Sequence, residues 1–174
     1  MGWQDEWENV CGVFSQWVKF DGRNDLGSEI LNCPGIYAVA IVEGRGISGE
    51  PFTLIEQIAY FGMTNAQNGL AGRLNAFNNT LRDVNGPGHG GAERFRYGVE
   101  GGEAIESLAN KLYVAVRPYK CDVTSIAAED LKTMGDVVRA EYLAFAAYAN
   151  QFKRLPQYND KRRSPKCKVS LQQA

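Results

Sequence analysis

The chain has 174 residues, 44% of them hydrophobic and 22% charged, which is enough for one domain with a real core and too little for two comfortable ones. Nineteen Lys and Arg against twenty Asp and Glu leave a formal charge of −1. That excludes a uniformly basic protein, so affinity for nucleic acid requires a local cluster of cations. No apolar run approaches the roughly 20 residues that span a bilayer, and the acidic start Gln4-Asp5-Glu6 fits neither a signal nor a transit peptide. A cytoplasmic protein without membrane association is the expectation.

Trp3, Trp7, Val10, Phe14 and Trp17 recur at helical spacing, which predicts an amphipathic helix from Trp3 to Phe20 packed on the core. Pro34-Gly35 then opens a run, Ile36 to Val42, short and β-branched enough for a buried strand. A glycine-rich turn over 43–49 precedes a second strand that ends at Ala59-Tyr60-Phe61-Gly62, and the two strands pair as a long-looped hairpin. Leu70, Leu74, Phe77 and Leu81 form the apolar stripe of a helix, and 85–91 (NGPGHGG) is a loop. Lys111 to Arg117 alternates as a third strand closed by Pro118. Ser125 to Phe152 is helical with a candidate break at Gly135, and its second half aligns Val137, Glu141, Ala144, Tyr148 and Phe152. These elements predict an α+β domain with a central three-stranded antiparallel sheet flanked by helices. Three parts follow: an N-terminal helical extension (1–33), a core domain (34–160) and a basic C-terminal tail (161–174). Cys11, Cys33, Cys121 and Cys167 are widely spaced with one histidine in the chain, and read as free thiols acting as small buried hydrophobes.

Gly35-Ile36-Tyr37 opening one strand and Tyr60-Phe61-Gly62 closing the next resemble the two halves of the GIY-YIG nuclease motif, with Phe61 in place of isoleucine. Later features keep the family's order over residues 34–159: Arg73 in the following helix, then Glu141, Pro156 and Asn159. The resemblance implies a stand-alone or restriction-type endonuclease that hydrolyses DNA phosphodiester bonds with Mg²⁺ or Mn²⁺, and a catalytic set of Tyr37, Tyr60, Arg73, His89, Glu141 and Asn159. In it Tyr37 orients or activates water and Tyr60 tunes it, Arg73 binds phosphate, and Glu141 holds the metal. The 22 residues between Tyr37 and Tyr60 exceed the family's compact hairpin, and Met63 and Phe77 stand where it often has lysine and histidine; His89 is positioned to substitute.

The same chemistry can be reached from the residues. A tyrosine, with pKa near 10, accepts a proton at neutral pH only with cations or hydrogen-bond donors beside it. A guanidinium fork matches phosphate oxygens, and one carboxylate with waters and a phosphate is an ordinary Mg²⁺ shell. Each residue also has a structural reading: tyrosine as packing, Arg73 as a solvated helix residue, Glu141 in an ion pair, His89 on an open loop and Asn159 in a turn. DNA contacts fall to Arg73 and to the tail, where Lys161, Arg162, Arg163, Lys166 and Lys168 stand without an acid between them. The alternatives are an inactive DNA-binding module of the same fold, or a non-nuclease interaction domain.

Overall fold

The computed structural model describes residues 2–99, 102–164 and 166. Its elements in chain order are α1 (Trp3–Cys11), β1 (Val18–Lys19), a 3-10 turn (Arg23–Leu26), α2 (Ser28–Leu31), β2 (Gly35–Ile41), β3 (Ile58–Thr64), α3 (Gly69–Arg82), α4 (Ala92–Tyr97), α5 (Gly102–Ala109), β4 (Leu112–Pro118) and α6 (Ala128–Phe152). The class is α+β, but the antiparallel sheet has four strands in the order β1-β4-β2-β3, where three were expected. The fourth comes from the N-terminal segment: Val18 pairs with Val114 and Lys19 with Tyr113.

The expected helix from Trp3 to Phe20 therefore stops at Cys11. Gly12 ends α1, and Trp17 enters the core from extended chain instead. Its amide donates to the Glu50 carbonyl at 3.0 Å, and the Gly49 amide donates to the Trp17 carbonyl at 2.7 Å. Those partners lie in the long β2–β3 connection, which also sends Phe52 among Trp7, Phe14 and Trp17; Phe14 and Phe52 stack at 3.9 Å. The length of the hairpin and the aromatic N-terminal segment thus share one cause, a joint apolar cluster that neither segment can close alone. At Gly135, α6 runs on without a break. Cys11, Cys33 and Cys121 are free and half-buried, so the expected full burial does not hold for them, and Cys167 lies outside the described residues.

Because side chains alternate along a strand, β2 feeds two cores. Ile36, Ala38 and Ala40 face α6 and α1, whereas Tyr37 and Val39 face α3 and α4. In β3 the register shifts opposite Val39/Ala40, so that Ala59 and Tyr60, consecutive residues, both join the α3 side. An irregularity of this kind re-aims side chains, and here it brings Tyr60 beside Tyr37. The free side of β3 is covered by the chain after α6: the Tyr158 amide donates to the Ala59 carbonyl at 2.9 Å. A covered edge cannot recruit another strand.

Gly62 faces Tyr37 across the hairpin. A Cβ at position 62 would lie 2.5 Å from Tyr37 Cζ and 2.8 Å from Tyr60 Cε1. The motif glycine is therefore the floor on which both tyrosine rings rest. Gly62→Ala is expected to destabilise the fold by about 1–3 kcal/mol, as forced overpacking does, and to displace both rings. Urea unfolding measures the first effect, and an unchanged midpoint would mean the rings have room to move.

Candidate active site

Four elements converge at the Tyr37–Tyr60 pair. The rings are 6.1 Å apart between centroids. Tyr37 is fully buried and Tyr60 is 9% exposed. Arg73 comes from the first turns of α3, one turn before Phe77. Glu141 comes from α6, next to the buried Ala140. The fourth contributor is the loop after α3, which brings in His89.

His89 is 1% exposed, against the expectation that a glycine loop leaves it in solvent. Its Nε2 lies 2.5 Å from the Tyr37 hydroxyl oxygen. Its Nδ1 accepts from the Gly91 amide at 3.0 Å and the Ala92 amide at 3.2 Å. The Thr80 hydroxyl accepts from the His89 amide at 2.7 Å and anchors the loop to α3. The ring edge of Phe77 meets His89 at 5.1 Å. Phe77, one turn after Arg73, thus packs against the imidazole that the loop brings in. The glycines around His89 allow this approach: a Cβ on Gly91 would sit 2.7 Å from the Tyr60 hydroxyl.

Burial and the positive charge of Arg73 lower the His89 pKa from 6.5 to about 3, so the ring is neutral. Its proton uptake is then confined to the unfolded chain at mildly acid pH. Stability from this residue is complete above pH 6.5 and is lost as pH falls toward 3, by about 3 kcal/mol between pH 6.5 and 4. Glu141 has the opposite slope from pH 7 down to 4.5, so a comparison isolates the histidine: His89→Gln should remove this acid-dependent loss from urea unfolding curves at pH 7, 5.5 and 4. Identical pH slopes for the two proteins would contradict it.

Burial raises Tyr37 well above 10; Tyr60 reinforces the rise, and Arg73 opposes it by charge and hydrogen bonding. Burial also raises Tyr60, while Arg73 and a hydrogen bond from Tyr37 pull it down. Glu141 is half-buried, and desolvation lifts its carboxyl to about 7 against the pull of Arg73. The guanidinium of Arg73 has a buried Nε without a hydrogen-bond partner among the described residues. Arg73 also lines a cleft of about 440 Å³ between α3 and the His89 loop, with Thr64, Asn68, Asn79 and Gly88 and no carboxylate on its walls.

Asn159 belongs to the scaffold of the site. Its Oδ1 accepts from the Phe61 amide at 2.8 Å and its Nδ2 donates to the Phe61 carbonyl at 2.9 Å, which fixes the backbone next to Tyr60. Pro156 is buried at the turn that makes this pairing possible. Arg94 of α4 also supports the site. It is buried, and its Nε donates to the Ser164 carbonyl at 2.8 Å while Nη1 donates to the Gly90 carbonyl at 3.3 Å. It therefore ties the start of the tail to the His89 loop. Lys161 and Arg162 are exposed, Arg163 pairs with Asp160 at 3.6 Å, and Lys166 pairs with Glu93 at 3.4 Å; Lys168 lies outside the described residues. Arg82 and Arg96 are engaged with Asp21, Glu106 and Asp83.

No group of three or more His, Cys, Asp or Glu side chains suited to a metal occurs among the described residues. A divalent ion would have Glu141 as its one carboxylate. The site fits that demand in one respect: Glu141 has no hydrogen-bond or ion-pair partner among the described residues, and its carboxylate is held in a setting where a cation would relieve the desolvation. No helix among the described residues is long and apolar enough to cross a membrane.

Comparison of the chain with protein-family models, with curated proteins and with solved structures gives no match.

Proposed function

We propose that the protein is a divalent-metal-dependent endonuclease of the GIY-YIG type that hydrolyses DNA phosphodiester bonds. The observation that carries this reading is the convergence of Tyr37, Tyr60, Arg73 and His89 beside Glu141, a half-buried carboxylate without a hydrogen-bond or ion-pair partner among the described residues. A structural arginine or carboxylate at such depth is normally satisfied by a neighbour. Here, among the described residues, Arg73 has a buried Nε without a hydrogen-bond partner and faces a cleft lined by no carboxylate, a setting suited to a phosphate.

The exposure of the two tyrosines favours a division of labour different from the one that the resemblance implies. Tyr37 is sealed beneath His89 and Tyr60, so the attacking water meets Tyr60. Tyr60 orients that water or, as phenolate, takes its proton while the water oxygen bonds to phosphorus. The P–O3′ bond then breaks, and its electron pair leaves on the 3′ oxygen, which takes a proton from solvent. Arg73 binds a non-bridging oxygen, and Tyr37 acts on Tyr60 from behind. Glu141 would hold Mg²⁺ or Mn²⁺, whose chemistry here is charge neutralisation at the phosphate and the leaving oxygen. Lys161 and Arg162, exposed on the first residues of the tail, are suited to duplex phosphates flanking the site.

The test is incubation of the purified chain with supercoiled plasmid in Mg²⁺, in Mn²⁺ and in EDTA. Nicking or linearisation in either metal, and none in EDTA, is expected. Intact plasmid in both metals, with retained DNA binding, would favour an inactive binding module.

A further inference from the structure

We propose that His89 is a positioning residue and not a base: as the Nε2–H tautomer it donates to the Tyr37 oxygen and so turns the Tyr37 hydroxyl hydrogen toward Tyr60. That Tyr60 then meets substrate rests on the nuclease reading, whereas the tautomer and the direction of the hydrogen bonds do not.

The argument is a count of protons around one ring. A neutral imidazole has one N–H and one bare nitrogen. Both the Gly91 and Ala92 amides point their hydrogens at Nδ1, so that nitrogen is the bare one. The single proton is on Nε2, 2.5 Å from the Tyr37 oxygen. A second proton on Nδ1 would face two N–H groups at once, which the buried loop cannot absorb without breaking both bonds. Imidazole therefore cannot take the Tyr37 proton, although a histidine in contact with a tyrosine invites that assignment.

The consequence passes to the next residue. With His89 donating, the Tyr37 hydroxyl hydrogen is turned away from the imidazole and toward the side of Tyr60, whose ring lies 6.1 Å away between centroids. The direction is one-way: His89 Nε2–H donates to the Tyr37 oxygen, and the Tyr37 O–H is aimed toward Tyr60. Chains of this kind strengthen link by link in a low-dielectric interior. They favour the charged form of the last acceptor. The other charged groups acting here are Arg73 from α3, Arg94 from α4, Lys166 from the tail and Glu141 from α6. Arg73 also donates to the Tyr37 oxygen, and His89 Nε2–H is the second donor there, so the Tyr37 hydrogen points away from both. The loop that carries His89 is fixed for the purpose by Thr80 from α3 and by Arg94 through the Gly90 carbonyl. The departure of Phe77 from the family pattern is then compensated by a residue that does a different job from a helix base.

The experiment has two arms on the full chain. Imidazole ¹⁵N NMR of the wild-type protein, with its single histidine, reads the tautomer directly. A bare Nδ1 and a protonated Nε2 are expected at pH 7, and the ring signals should shift in Tyr37→Phe. A protonated Nδ1 would overturn the proposal whatever the protein cuts. The second arm compares His89→Leu, which fills the space without a donor, with His89→Gln, which keeps an N–H at similar reach. His89→Leu should lower kcat roughly 3–10-fold, the loss of one hydrogen bond to a neutral hydroxyl, with KM unchanged, and His89→Gln should recover most of it. Equal losses in two folded variants would make His89 merely structural. A wild-type protein with the expected tautomer and no cleavage would remove the nuclease reading alone.

Discussion

Glu141→Gln is expected to abolish metal-dependent cleavage while the protein keeps its fold and its affinity for DNA. The loss should be on the order of 10²–10³ in rate or more, the range for removing one group that stabilises transition-state charge. The same substitution should alter stability in a direction that a merely structural carboxylate would not give. Burial lifts the folded-state pKa to about 7, above the unfolded 4.5, so the charged form is disfavoured in the folded chain. The penalty is fully present above pH 7 and disappears as pH falls below 4.5. Without metal, Glu141→Gln should therefore be more stable than the wild type at pH 8 by about 1–2 kcal/mol, after discounting for the part of the side chain that solvent screens. The advantage should vanish by pH 4. Mg²⁺ should raise the melting temperature of the wild type and leave the variant unmoved. Thermal unfolding at pH 8 and pH 4, with and without Mg²⁺, checks all three statements; a destabilised variant at pH 8 would mean that the carboxylate has a cationic partner in the protein.

Tyr60→Phe should cost roughly 10²–10⁴ in kcat, as the loss of a general base does. Tyr37→Phe should cost less, because it interrupts the donor chain but leaves the residue that meets water. The two effects should not add: without Tyr60 the Tyr37 hydroxyl has no acceptor to act on, so the double variant should resemble Tyr60→Phe. The ranking reverses the one expected when Tyr37 is taken as the water-activating residue, and rests on its complete burial under His89 and Tyr60. Single-turnover rates of the three variants decide it. A larger loss for Tyr37→Phe would return the direct role to Tyr37.

Period-2 and period-3.6 patterns made β2, β3, β4, α3 and α6 legible in the sequence, because each buries a continuous apolar face. What escaped was what depends on contacts distant along the chain. Trp17 has helical spacing with Trp7 and Phe14, yet it is held by Gly49 and Glu50, so β1 replaced the end of a helix. At two residues, β1 is too short to leave a pattern. The same holds in the site. Tyr37, Tyr60, Arg73 and Glu141 were readable from motif order, and the structure brings them together. The depth of His89 was not, since NGPGHGG is open-loop composition; only the loop's attachment through Thr80 and Arg94 turns it inward. Asn159 was singled out for chemistry or a turn, and it holds the Phe61 backbone in place. The density of glycines near His89 was the one available signal, because Gly91 is needed where the Tyr60 hydroxyl approaches.

The most direct measurement is single-turnover cleavage of duplex DNA by the wild type, Glu141→Gln and Tyr60→Phe, with binding followed on the same samples and the cut ends analysed. The account predicts Mg²⁺- or Mn²⁺-dependent cleavage by the wild type that leaves 3′-hydroxyl and 5′-phosphate ends. It also predicts near-complete loss of cleavage in both variants at unchanged DNA affinity. Full-rate cleavage by Glu141→Gln, or no cleavage by the wild type in either metal, would contradict it.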